Sequence, residues 1–445
     1  MKTDNPRTPG WKDSWKGAAG VEPVWDAPTQ PRLPAAQAEG VSDKYPLSLR
    51  TIFLQALLAW FVVRLALGAL TVYAVASTQH AIPTIAQLVD AWHHWDGAWY
   101  PMIAINGYWV RAAAGFFPLY PLLIHTGTVI FGSGSAVVIA MLVNNLSSLA
   151  AFLGIGLLAA HETRTRGAAW RAIWITAAYP MAFYLVAPYS EGTFLALTIF
   201  AVYNARRGSW GWAAACGFLA SLTRPTGIVL LAPLAWEFGR QHGWWRREVW
   251  TIAWWRETPQ RLARLRVAPT LRAALLAVLV IGAVPAAFGC VVVYDAIHYH
   301  NAMMYIYAQN TFWHHAQWTV WQSVSAIISN IIHFPRTPRL LFLMAVDISA
   351  AVASVAIVLA AIRRLPVAFT LYMAALLYLL LTSPVPSHPE IIASAARYLL
   401  VAFPVVLILG RWTTRRPWLL ILILCVGFVL QAIFARMFFS GAWIE

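Results

Sequence analysis

The densest concentration of reactive and aromatic side chains is Trp92-His93-His94-Trp95-Asp96-Gly97-Ala98-Trp99-Tyr100. Burial among rings raises a carboxylate's pKa and a nearby cation lowers it, so Asp96 can be tuned as a general base. It can equally cap a helix at a membrane surface, inside an aromatic belt. Arg224 lies in Thr223-Arg224-Pro225-Thr226-Gly227, and Arg397-Tyr398 opens an apolar run. A guanidinium fork binds phosphate bidentately and stays charged, although either Arg can also snorkel to an interface. Glu191 follows Pro188-Tyr189-Ser190 and opens another apolar helix. The helix dipole favours it there, and a ligand-binding or supporting role is the alternative. Trp95, Tyr100, His93, His94, Tyr189, His388 and Tyr398 are candidate ligand-binding or supporting side chains around them.

Other chemistries have weaker grounds. His93-His94, His298 with His300, His314-His315 and His388 invite a metal reading. Adjacent His side chains on a helix diverge, and no HExxH or carboxylate-rich spacing accompanies them. No metal is therefore expected. Cys216, Cys290 and Cys425 stand singly in apolar runs, which supports neither a disulfide framework nor a thiolate metal site. A phosphate-cradling Gly loop is missing too, so no nucleotide cofactor is expected. Asp347 falls inside an apparent span, where ionisable groups are costly and often functional. Snorkelling accounts for it as well, and it is left outside the candidate site, as is Asp90.

The elements that must position these residues follow from composition. Of 445 residues, 60% are hydrophobic and only 11% charged, far below the roughly 25% of soluble domains, so a water-soluble globule is excluded. The net charge of +15 does not point to nucleic acid. All Lys (2, 12, 16 and 44) lie before the first apolar run, and Arg clusters between runs, which is a positive-inside pattern. Residues 1–46 hold seven Pro and four Gly without apolar periodicity and read as a disordered cytoplasmic tail. Its Trp11, Trp15 and Trp25 are candidates for touching a membrane surface or a tail-binding partner.

Apolar runs near 51–77, 136–160, 171–187, 189–205, 272–293, 339–362, 366–382, 398–410 and 417–437 read as membrane helices. Basic loops at 164–171, 206–207, 240–272, 363–364 and 411–416 all become cytoplasmic if 118–131 lies on the outer surface. The stretch 211–239 must then enter and return as two half-helices with 223–227 at the apex. The expectation is an all-α integral membrane protein of about 11 segments with outer-surface helices. Asp96, Glu191, Arg224 and Arg397 then share the non-cytoplasmic face. The aromatic stretch 294–335 either lies along the membrane plane or packs between helices.

A resemblance rests on these residues. Trp95-Asp96-Gly97 with Trp99-Tyr100, Ile103-Ala104, Gly107-Tyr108 and Phe116-Phe117-Pro118-Leu119-Tyr120-Pro121 resembles the first-loop signature of the second GPI mannosyltransferase (PIG-V-like) family. Pro188-Tyr189-Ser190-Glu191 resembles its Pro-Tyr-(Ser/Thr)-Glu turn, and 222–227 its Arg-containing short segment. Arg397-Tyr398 before Phe403-Pro404 is similar to the late Arg-Tyr motif of glycosyltransferases with the GT-C fold. The matches run in order from about 50 to 410. The long basic 240–272 loop and the polar tail depart from the eukaryotic members. Arg-heavy usage suggests a bacterial coding background, which makes a GPI precursor a poor candidate for the acceptor.

The resemblance implies a GT-C-like domain over 47–445 on the cell membrane. It also implies inverting transfer of a hexose, mannose foremost, from a polyprenyl-phosphate donor to a lipid or glycan acceptor outside. Asp96 takes the base role, and Arg397 and Arg224 the donor phosphate, whose charge grows as it leaves. The rival expectation is a transporter (flippase) of a lipid-linked sugar or polyprenyl phosphate, using the same cavity without chemistry.

Overall fold

The computed structural model describes residues 48–163, 165–244, 267–333, 337–362, 365–386, 392 and 394–442. The 1–46 tail, most of the 240–272 loop and His388 lie outside the described residues.

Every regular element among the described residues is helical. The first half carries α1 (Leu49–Gln79), α2 (Ile85–Asp90), α3 (Asp96–Asn106), α4 (Leu119–Phe131), α5 (Ala136–Thr163), α6 (Arg166–Ala177), α7 (Glu191–Arg206), α8 (Trp210–Thr223) and α9 (Leu231–Gln241). The second carries α10 (Val267–His298), α11 (Met304–Thr311), α12 (Val320–His333), α13 (Pro338–Ala361), α14 (Val367–Thr382), α15 (Ala395–Tyr398), α16 (Phe403–Arg415) and α17 (Pro417–Phe439).

Among the described residues, five helices are long and apolar enough to cross a membrane: α1, the 133–163 stretch containing α5, α10, α13 and α17. A sixth span arises if the pair 395–401 and 403–415, bent by 73°, counts as one. The sequence expectation of about 11 is higher because shorter runs were included. At 16 residues each, α7 and α14 are roughly 24 Å long, short of a hydrocarbon core of about 30 Å. The 171–187 run is not one helix. It stops at Ala177 ahead of Pro180 and continues through a 3-10 turn at Ala182–Leu185.

That irregular segment is the centre of the packing. Residues 181–190 are all buried, so their backbone groups need protein partners. Asn144 donates to the carbonyls of Tyr184 and Ala187, both at 2.7 Å, and accepts the Gly192 N–H at 2.8 Å. Asn145 donates to Val186 O at 3.0 Å. Arg64 of α1 donates to Leu185 O at 3.0 Å and to Asn145 Oδ1 at 2.9 Å. Polar side chains of α1 and α5 thus replace the hydrogen bonds that the broken helix gives up.

Further along, α8 and α9 fold back on each other. Trp210 meets Phe238 ring to ring at 4.9 Å. A Cβ on Gly217 would sit 3.1 Å from Leu234, and one on Gly227 would collide with the backbone of Ser221, so only glycine allows that return. Arg224 is extended between the helix and the following 3-10 turn, ahead of Pro225.

Candidate functional site

Four segments distant in sequence deliver one charged side chain each. Asp96 and Glu191 are the first residues of α3 and α7, where helix dipoles favour carboxylates. Arg224 stands at the α8–α9 return and Arg397 in the single turn of α15. Arg397 Nε donates to Glu191 Oε1 at 2.6 Å, and its Nη2 donates to Asp96 Oδ2 at 2.9 Å. Arg224 Nη1 donates to the same Glu191 Oε1 at 2.5 Å. Two carboxylates and two guanidinium groups balance to zero formal charge.

The four groups are not equivalent. Glu191 is 1% exposed and Arg397 4%, while Arg224 reaches 13% and Asp96 27%. Arg397 is the saturated member: both carboxylates hold it, and its guanidinium carbon lies 4.9 Å and 4.7 Å from the ring centres of Tyr184 and Tyr189. Arg224 spends only Nη1 on a hydrogen bond among the described residues, and its guanidinium faces the Tyr398 ring at 5.6 Å. Asp96 Oδ2 is occupied, while Oδ1 accepts nothing among the described residues. Glu191 Oε2 is buried and likewise without a partner there. The accessible edge of the network therefore consists of one carboxylate oxygen and one guanidinium fork.

The local sequence explains how the first loop meets the Glu191 turn. Tyr189 donates its hydroxyl to His94 O at 3.0 Å, and Tyr100 exchanges a hydrogen bond with Ser190 Oγ at 2.8 Å. A Cβ on Gly97 would come within 2.8 Å of the Tyr189 ring, so the Asp96-Gly97 pair requires the missing side chain. Trp95 has φ +54, a conformation that L-residues avoid, and it turns the chain into α3. Burial pushes the Tyr100 hydroxyl above its ordinary pKa and keeps it protonated as a donor.

His93 and His94 lie in the same loop, half-buried and outside the charge network. Burial lowers both pKa values against the pull of Asp90. Their Nε2 atoms are buried without partners among the described residues, and the His94 ring meets Phe438 edge-on at 5.4 Å. Among the described residues no three His, Cys, Asp or Glu side chains group as metal ligands would. The aromatic stretch fastens to the first loop through several hydrogen bonds, among them Tyr299 donating to Tyr108 O at 2.9 Å and Trp313 donating to Ala112 O at 3.1 Å.

Sequence reasoning passed over several residues around the network. Tyr184 lies inside an apolar run and carries no motif. Arg64, Asn144 and Asn145 were visible as polar residues inside apolar runs, a signal that could have been used. His315 shares a hydrogen bond with Ser383 O at 3.0 Å and lies close enough to Asp96 to feel its charge.

The class defined so far is a protein whose described elements are all helical, with several membrane-length apolar helices and a half-buried four-charge network. Comparison with known proteins does not narrow it further: no family model and no curated sequence matches the chain.

Proposed function

We propose that this chain is a multi-pass membrane glycosyltransferase of GT-C-like architecture, moving a hexose from a polyprenyl-phosphate donor to an acceptor hydroxyl. The observation that carries the reading is the convergence of Asp96, Glu191, Arg224 and Arg397, with Asp96 Oδ1 and the Arg224 fork left at the accessible edge. The PIG-V-like resemblance supports it, because its separate motifs supply these same four residues.

In the proposed step the acceptor oxygen attacks the anomeric carbon, opposite the phosphate. Asp96 takes the hydroxyl proton as the new C–O bond forms. The bond from the anomeric carbon to the phosphate oxygen breaks, and the polyprenyl phosphate leaves with the electron pair. Arg224 receives that phosphate, because its remaining N–H groups are available. Arg397 holds Asp96 in orientation through Oδ2. Glu191 holds the two cations apart and is too deeply buried to serve as base.

The orientation has its own support. The last residue of α7, Arg206, pairs with Glu162 at 2.7 Å and Glu237 at 3.2 Å, at the end opposite Glu191. Arg-rich ends of α7 and α9 therefore gather away from the candidate site, as a cytoplasmic end would. Impermeant labelling of single Cys residues at 224 and 255 should report opposite sides.

The two ionic clusters at opposite ends of α7 also suit a transporter that opens at alternate faces. Purified protein incubated with labelled polyprenyl-phosphate sugars and membrane extract decides between them. A glycosylated product is expected. Movement of the intact lipid-linked sugar across vesicles, with no product formed, would establish the transporter instead.

A further inference from the structure

Asp347 is a buried carboxylate outside the charge network. It lies nine residues beyond the start of α13, roughly 14 Å along a membrane-length apolar helix. A carboxylate at that depth is costly unless its oxygens are satisfied. No cation pairs with it among the described residues, and its side chain is buried. Its partners are backbone N–H groups instead. Oδ1 accepts the Ala396 N–H at 2.7 Å, and the backbone amides of Ala395 and Ser394 lie near enough for their dipoles to act on the carboxylate.

Those amides open the single turn that carries Arg397. Ser394 has φ +66, which a serine adopts only when its surroundings hold it there. Ala396 is gripped from both sides: Asp347 takes its N–H, and the Tyr179 hydroxyl donates to its carbonyl at 2.7 Å. Gln431 of α17 in turn donates to Tyr179 O at 3.2 Å. The next residue is Arg397, which must meet Glu191 and Asp96 at once.

We infer that Asp347 is a positioning residue: with Tyr179 it clamps Ala396 and thereby sets the Arg397 guanidinium between Asp96 and Glu191. Its effect on turnover rests on the transferase reading above; its effect on Arg397 does not. A misplacement of about 1 Å in such a group can lower a rate about 10²-fold.

The test uses the full chain in lipid nanodiscs, with Asp347→Leu as the first variant, which removes the acceptor at similar size, and Tyr179→Phe as the second, which removes only a hydroxyl. Two readouts are taken. Phenylglyoxal modification mapped to Arg397 should be slow in the unsubstituted protein and at least about 5-fold faster in either variant, a release of under 1 kcal/mol being enough for that ratio. Transfer turnover should fall about 10- to 100-fold, and adding either substitution to Arg397→Lys should cost less than about 3-fold more, since both act through one group. Unchanged Arg397 modification in a folded variant would overturn the inference, as would full additivity with Arg397→Lys. If Asp347→Leu fails to fold, Tyr179→Phe decides by the same criteria. Should the unsubstituted protein transfer no sugar, the transferase reading falls, and the Arg397 modification rates alone decide the clamp.

Discussion

Arg397 and Glu191 stand 206 positions apart in the chain, yet the Arg397 Nε donates to Glu191 Oε1 at 2.6 Å. With Arg224 on the same oxygen, Glu191 is a shared anion between two cations. The arrangement separates a buried half of the network, Glu191 and Arg397, from an accessible half, Asp96 and Arg224. The predictions follow from that division.

Asp96→Asn keeps the size of the side chain and an acceptor for Arg397, but it cannot take a proton. Turnover should fall by about 10²–10⁴, the usual cost of removing a general base. Asp96 is partly exposed, so the lost ion pair should change stability by no more than about 1 kcal/mol. Single-turnover rates and thermal unfolding of the same preparation check both halves. Near-normal turnover in a folded Asp96→Asn protein would remove Asp96 as the base.

The two arginines should fail differently. Arg224→Ala frees Glu191 of one partner but leaves Arg397 in place, so folding should survive while donor binding weakens, raising KM together with a fall in kcat. Arg397→Ala strips both Asp96 and Glu191 of a cation and should lower stability before donor affinity is even measured. Arg224→Lys should restore only part of the binding, because an ammonium lacks the planar fork. Equal KM values for Arg224→Ala and the unsubstituted protein would shift the phosphate contact elsewhere.

Glu191→Gln tests the buried half. A neutral amide there leaves two guanidinium groups facing each other with no intervening charge. Breaking a buried pair from one side costs about 3–5 kcal/mol, and Glu191 is among the most buried charged groups of the described chain. The unfolding temperature in detergent should drop well beyond that of Asp96→Asn. A smaller drop than Asp96→Asn would invert the proposed division of the network.

The sequence made the participants legible but not their pairing. Asp96, Glu191, Arg224 and Arg397 were marked by type and by unusual surroundings, and the α8–α9 return was marked by Arg224-Pro225 and Gly227. Who touches whom depends on long-range packing that no local pattern encodes. The break after Ala177 was hidden for a different reason: Met181–Ala187 is as apolar as a helix, and the Asn144, Asn145 and Arg64 side chains that hold its irregular backbone lie across the bundle. Asp347 was visible as a charge in a span, but its role lies in contacts to backbone amides, which carry no sequence signature.

The last prediction concerns acidification. His93, His94 and His315 lie outside the membrane-length helices, and burial lowers each pKa below the ordinary 6.5. Opposing pulls from Asp90 on the first two, and from the Ser383 carbonyl and Asp96 on His315, do not reverse the direction. As pH falls through 6.5, the unfolded chain therefore binds protons before the folded one does. Stability is fully present above that pH and is lost as pH drops toward the folded values. The unfolding temperature should be flat between about pH 8 and 7, and should decline as pH falls through the histidine range. His315→Gln keeps a donor for Ser383 O and removes the titration, so it should make the decline shallower without moving the plateau. A rise in unfolding temperature on acidification through this window would mean that these imidazoles gain, and do not lose, by carrying charge in the folded protein.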